Sequence, residues 1–160
     1  MSQDFRLVSG QVKAERTTPT FARNRGSNDA ARLGLAYERR VVKELQHHVD
    51  IGNLVRVEHN PWFAFEDEFG AGTCSPDIIV YGPQFVQIVE VKLRWVPVAQ
   101  KKLEDLYRPV VCAAYGILPS LLVLCRYVTP ETPKPVFTLR DAVKTTGAVL
   151  NWPANGRIPW

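Results

Sequence analysis

Two nearly unbroken apolar runs, residues 85–93 (FVQIVEVKL) and 121–128 (LLVLCRYV), constrain this chain more than any other feature. A strand with one wet face alternates apolar and polar residues. A run that is apolar at successive positions belongs to a strand covered on both faces. The chain therefore needs a sheet with a layer packed on each side, and helices are the natural cover.

The rest of the sequence supplies them. Ser27, Asn28 and Asp29 offer N-cap oxygens, and Leu33, Tyr37, Val41 and Leu45 recur every four residues, with Leu35, Val42 and Val49 widening the stripe. This spacing predicts a helix over 29–48 that ends near Gly52 and Asn53. Strands are expected over 54–58 and 62–65, separated by the turn signal Asn60-Pro61, and over 77–81 and 85–93, separated by Gly82-Pro83-Gln84. The acidic, then Gly-rich stretch 66–75 reads as a loop. Residues 98–115 read as a helix that Pro109 kinks or breaks, and 121–128 as a further strand. A short strand over 137–139 and a helical turn or two over 139–145 follow. The order predicts an α/β fold: one small mixed sheet flanked by helices.

With 160 residues and 46% apolar content, one domain with its own core is expected. No apolar run is long enough to span a membrane, and the N-terminus lacks the pattern of a secretory signal. Cys74, Cys112 and Cys125 are odd in number and widely spaced, without a CxxC pair. This predicts free thiols in a reducing, cytoplasmic setting and no structural zinc. Charge is uneven. Residues 1–40 carry eight Lys/Arg and four Asp/Glu, whereas 41–160 carry twelve of each, so the whole net charge of +4 lies in the first quarter. Such a segment suits a polyanion, or serves as a solubilising tail. We read 1–27 as a basic flexible arm or extended strap, 28–150 as the folded core, and 151–160 as an aromatic tail that packs on the body. On that reading, removal of the arm leaves folding intact.

The chemistry concentrates at Pro76-Asp77 and Glu90-Val91-Lys92. The turn between Pro83 and Gln84 has the same midpoint as the pair 77 and 90. A hairpin there sets Asp77 opposite Glu90, with side chains on one face about 5 Å apart at Cβ. Lys92, two residues on, shares that face. Two adjacent carboxylates repel unless a cation joins them. Mg²⁺ or Mn²⁺ would be held by Asp77, Glu90 and the carbonyl of Val91, with waters and a substrate phosphate completing the shell. Lys92 would position or deprotonate a water, or stabilise a phosphodiester transition state. The plainer alternative is an ion pair at a strand end.

These residues resemble the PD-(D/E)XK nuclease superfamily, whose pattern stands here as Pro76-Asp77 and Glu90-Val91-Lys92, over about residues 29–128. The resemblance implies a restriction-endonuclease-like core, metal-dependent hydrolysis of DNA, and a helix glutamate near the metal, for which Glu38 in Gly34-Leu35-Ala36-Tyr37-Glu38 is the candidate. It also implies a Gln or Lys on the helix after the motif, matched by Gln100 or Lys101. The leading expectation is therefore a Mg²⁺-dependent DNA endonuclease or exonuclease, directed by DNA structure rather than sequence. The alternative is a catalytically silent relative that binds DNA or joins an assembly. Phosphates would be gripped by Arg23, Arg25, Arg32, Arg39 and Arg94 together with Gln100 and Lys101. A homodimer and protein contacts through the arm fit the same picture, as does a bacterial or phage source.

Other residues are weaker candidates. His47, His48 and His59 read as structural or solvent-facing. The run Glu66-Asp67-Glu68 offers a second metal site or, more commonly, a solvated loop. Trp62, Phe63 and Phe65 offer base stacking, with core packing the reading preferred.

Overall fold

The computed structural model describes residues 5–19 and 28–160. The fold is mixed α/β. A five-stranded sheet runs in the order β2-β5-β6-β7-β8, formed by Arg56–His59, Ile78–Tyr81, Val86–Arg94, Ser120–Tyr127 and Gly147–Asn151. The β2–β5 and β5–β6 pairs are antiparallel, and the β6–β7 and β7–β8 pairs are parallel. The two apolar runs form the central strands β6 and β7, as their pattern requires. Alternate residues of β6 feed two cores. Ile88 joins one with Leu121, Val123, Leu103 and Val110, and Val89 and Val91 join the other with Tyr37, Val41 and Leu45.

Helix α1, Asp29–Asp50, covers the second face with Tyr37, Val41 and Leu45 of the predicted stripe, whereas Leu33, one turn earlier and beyond the sheet's cover, is exposed. Its N-cap is Asn28, whose side chain accepts from the Ala31 N–H at 2.7 Å. The other face is covered by α2 (Pro97–Lys102), a π-helical turn (Leu103–Tyr107) and α3 (Arg108–Tyr115). Pro109 does not break this helix. In the wide turn the Arg108 N–H reaches back to the Leu103 carbonyl, and the loosened spacing accommodates a residue that has no N–H to give. A short α4, Leu139–Val143, precedes β8. The strand expected over 137–139 is absent; Val136 makes one bridge to Leu150, and the edge strand is β8.

A second sheet was not expected. Strands β1 (Lys13–Thr17), β3 (Trp62–Asp67) and β4 (Gly70–Cys74) form it in the order β1-β3-β4, all antiparallel. Stretch 66–75, read as a loop, is thus a hairpin turn and a strand. Gly70, at φ 114°, provides its bend. The arm is corrected too. Its residues 5–17 are part of the body: Phe5, Val8, Val12 and Ala14 pack against the core, and β1 is hydrogen-bonded to β3. Arg6 pairs with Asp67 and donates to the Gly70 carbonyl at 2.9 Å. Arg16 pairs with Glu58 of β2, tying the small sheet to the large one.

Deleting residues 1–19 should therefore lower the melting temperature by many degrees, because Phe63 and Phe65 lose their cover. A thermal melt of the truncated chain checks this; an unchanged midpoint would return these residues to the role of a dispensable tail. The tail at 151–160 does pack, through Trp152 and Ile158, both buried. The three cysteines are free. Burial pushes the Cys74 thiol up to about 12, against a small pull from Lys102, and Cys125 to about 11. No helix among the described residues is long and apolar enough to cross a membrane.

Candidate active site

The hairpin register is the one the sequence predicts. Ile78 pairs with Val89 and Tyr81 with Val86, so the same register sets Asp77, one residue before β5, opposite Glu90. Beyond this point β6 continues only beside β7. The Asp77 carboxylate takes up the place left by the ladder: its Oδ2 accepts the Val91 N–H at 2.9 Å. Asp77 and Glu90 are both buried, at 5% and 2% exposure. Lys92 has the same strand parity as Glu90 and is half-buried.

Helix α1 completes the arrangement from the other side of the strand ends. A cavity of about 350 Å³ is lined by Gly34 and Glu38 of α1, by Asp77, by Glu90 and Lys92 of β6, and by Lys102 of α2. All four residues assigned a chemical role from sequence therefore share one cavity. Gly34 keeps the helix wall bare, since a Cβ there would meet nothing within 4 Å.

The electrostatics are those of a crowded anionic site. Burial pushes the Glu90 carboxyl well above its ordinary range. The Asp77 charge and a hydrogen bond with Asp77 push it further, while Lys102 and Lys92 pull it down. Glu90 Oε2 is buried without a hydrogen-bond partner among the described residues. A buried carboxylate oxygen with no donor is costly and is the feature a bound cation would satisfy. Asp77 and Glu90 supply the hard oxygen donors that Mg²⁺ takes, and the cavity leaves room for water. Among the described residues no three His, Cys, Asp or Glu side chains form a metal-holding group, so the protein would contribute two carboxylates and the Val91 carbonyl.

Two residues escaped the sequence reading. His59, taken as structural or solvent-facing, holds Glu38: its Nε2 lies 2.6 Å from Glu38 Oε2. It reaches the site because β2 pairs with β5, placing His59 opposite Ile78. The polar helix residue at the cavity is Lys102, in place of Gln100 or Lys101. Gln100 donates to Glu104 at 3.1 Å, and Lys101 lies outside with Asp105 at 3.3 Å. Strand pairing across twenty residues found His59; no local signal marks it. Lys102 differs from the expectation by one helical step of 100°, finer than motif spacing resolves.

Arg32, Arg39 and Arg94 are exposed, Arg32 and Arg39 on α1 and Arg94 at the end of β6. Arg23 and Arg25 lie outside the described residues. His48 is structural, with Nε2 2.8 Å from the Ile158 carbonyl oxygen. The acidic run is no second metal site at this cavity. Asp67 is fixed inside the small sheet, where burial raises its carboxyl but the N–H groups of Ser9 and Phe69 and the Arg6 guanidinium outweigh burial and hold it below its ordinary value.

No known family model matches the chain, and no curated protein does. Among solved structures it is similar to the crystal structure of protein VC1899 from Vibrio cholerae, with 12% identity and a TM-score of 0.52. The match covers 78% of this chain and 32% of that one. At this identity the likeness concerns the fold alone.

Proposed function

We propose that the chain is a metal-dependent nuclease that hydrolyses phosphodiester bonds of DNA, as its resemblance to the PD-(D/E)XK superfamily implies. One observation carries the reading: Asp77, Glu90, Lys92 and Glu38 line one cavity in which a buried Glu90 oxygen has no donor. Asp77, Glu90 and the Val91 carbonyl would hold Mg²⁺ or Mn²⁺. Bound there, such an ion supplies charge neutralisation at the scissile phosphate and a lowered pKa for an attacking water.

The chain's own groups do the rest. The Lys92 ammonium, beside the carboxylates, orients the water and offsets charge that grows on the phosphoryl oxygens. Lys102 adds a second positive charge from the end of α2. Glu38, gripped by His59, is held at one orientation and accepts a hydrogen bond from water. Exposed Arg32, Arg39 and Arg94 lie on elements that bound this cavity and suit backbone phosphates.

The test is incubation of the purified chain with linear duplex, single-stranded and branched DNA, with Mg²⁺, Mn²⁺ or EDTA. Cleavage that requires the divalent ion is expected. Binding without cleavage of any form under any ion would leave the silent, DNA-binding alternative.

A further inference from the structure

A second cavity, of about 360 Å³, meets the first at Lys102, which lines both. Its two charged side chains, Arg6 and Lys102, are cations, the hydroxyl residues Thr73 and Ser75 share the lining, and no Asp or Glu among the described residues does. Ser75 stands two residues before Asp77. Two residues of chain span at most about 7 Å, which is the reach of one nucleotide step along a DNA strand. The Tyr107 hydroxyl donates to the Ser75 carbonyl at 3.2 Å and fixes this short segment.

The donors are held in place and in part unused. Arg6 Nη2 pairs with Asp67 and donates to the Gly70 carbonyl at 2.9 Å, and the guanidinium carbon lies 4.9 Å from the Phe65 ring centre. Arg6 Nη1 is buried without a hydrogen-bond partner among the described residues. Gly72 leaves room for it: a Cβ there would stand 2.5 Å from Nη1, closer than such atoms approach. Ser75 is 7% exposed, and its Oγ likewise has no partner among the described residues. Buried donors left in this state are costly and call for an acceptor. Phe5, Phe65 and Tyr107 line the same recess, and the low polarity of their rings strengthens charge attraction inside it.

We infer that this cavity seats the DNA phosphate one nucleotide step from the one being cut. The inference rests on the nuclease reading and adds to it a second, separate anion site that fixes the register of the strand. A phosphate brings a negative charge and several acceptor oxygens. Arg6 Nη1 and Ser75 Oγ donate to it, and Lys102, which borders both cavities, offsets charge on both phosphates. An internal phosphodiester and the terminal phosphate of a strand share this chemistry. Such a contact positions the backbone and carries no sequence information, which suits recognition of DNA by form.

Two readouts test the site on the wild type, Ser75→Ala and Thr73→Glu. The first variant removes an unpartnered hydroxyl; the second adds a negative charge at an exposed position of β4. Arg6 is left intact because its pairing with Asp67 holds the small sheet. Thermal melts verify that the variants fold. The first readout is calorimetric titration with inorganic phosphate in EDTA, where the bare carboxylates of the first cavity repel the ion. The wild type should bind phosphate, and both variants should bind it about tenfold more weakly or not at all. The second readout is the cleavage map in Mg²⁺ of a labelled strand that carries one uncharged methylphosphonate. The wild type should lose the cut at the modified linkage and cut about tenfold more slowly at the linkage on one side of it only. In both variants that one-sided loss should shrink. Strands with and without a terminal phosphate at that position tell an internal phosphodiester from a strand end. No saturable phosphate binding by the wild type, or equal binding by both variants, would overturn the site. Cleavage without the one-sided loss would sink the subsite and leave the nuclease reading standing. Phosphate binding that both variants weaken, without cleavage of any DNA, would keep the anion site and sink the nuclease reading.

Discussion

Replacing Lys92 with Ala should lower the rate of DNA cleavage by about a hundredfold or more while changing DNA affinity little. The ammonium lies beside Asp77 and Glu90 in the same cavity, where, on the proposed mechanism, it would act on charge that develops during reaction rather than on the bound duplex. Asp77→Asn should abolish cleavage by a different route. The amide keeps the shape but loses the charge that attracts Mg²⁺, so metal affinity falls. DNA affinity in EDTA should hold or rise, because a carboxylate that repels phosphate is gone. Single-turnover rates and binding isotherms for both variants separate the two effects. Lys92→Ala cutting at the wild-type rate would remove this constellation from the mechanism.

Glu90→Gln should raise stability while destroying activity. Wild-type Glu90 is held beside Asp77 at 2% exposure, its carboxyl pushed well up by burial and by Asp77. A carboxyl raised in the folded state stabilises the fold only while protonated. Its contribution is complete below the ordinary value of 4.5 and is lost as pH rises through the folded value. Gln cannot ionise and can donate to Asp77. At neutral pH the gain should be about 1–3 kcal/mol, or about 3–10 °C in melting temperature, and it should shrink as pH falls below 5. Asp67 and Glu58 act in the opposite sense. Their carboxyls are held low, so the stability they confer fades at acid pH. Because both remain in the variant, the difference between the two melting curves isolates Glu90. A variant less stable than the wild type at pH 7 would mean that the pair is not strained when empty of metal.

What was legible in the sequence followed from short-range regularities. The doubly apolar runs placed β6 and β7 at the centre of the sheet, the four-residue period gave α1, and the hairpin midpoint placed Asp77 opposite Glu90. The second sheet was hidden because its members are far apart in the chain. Strand β1 pairs with β3 across some fifty residues, and β1 alone, KAERT, has no apolar alternation to announce it. Strand β4, GAGTC, carries two glycines, which locally favour a loop; it is a strand because its neighbour β3 supplies Phe63 and Phe65 to the core. His59 was missed for the same reason. Its role depends on β2 lying beside β5, and nothing within ten residues of it says so. Glu38 was found only through family resemblance, since a helix glutamate has no intrinsic signature.

The passage from the large sheet to the small one takes only two residues. Asn60 holds φ at 54°, its N–H donates to the Asp77 carbonyl at 2.8 Å, and Pro61, with φ fixed by its ring, is buried. His59 ends one sheet and Trp62 begins the other. A hinge needs residues able to absorb large dihedral changes, and this link has none to spare. The small sheet is therefore a fixed jaw. Recognition by such a body is fit between standing surfaces: if the substrate is DNA, as proposed, the DNA rather than the protein would have to supply any deformation.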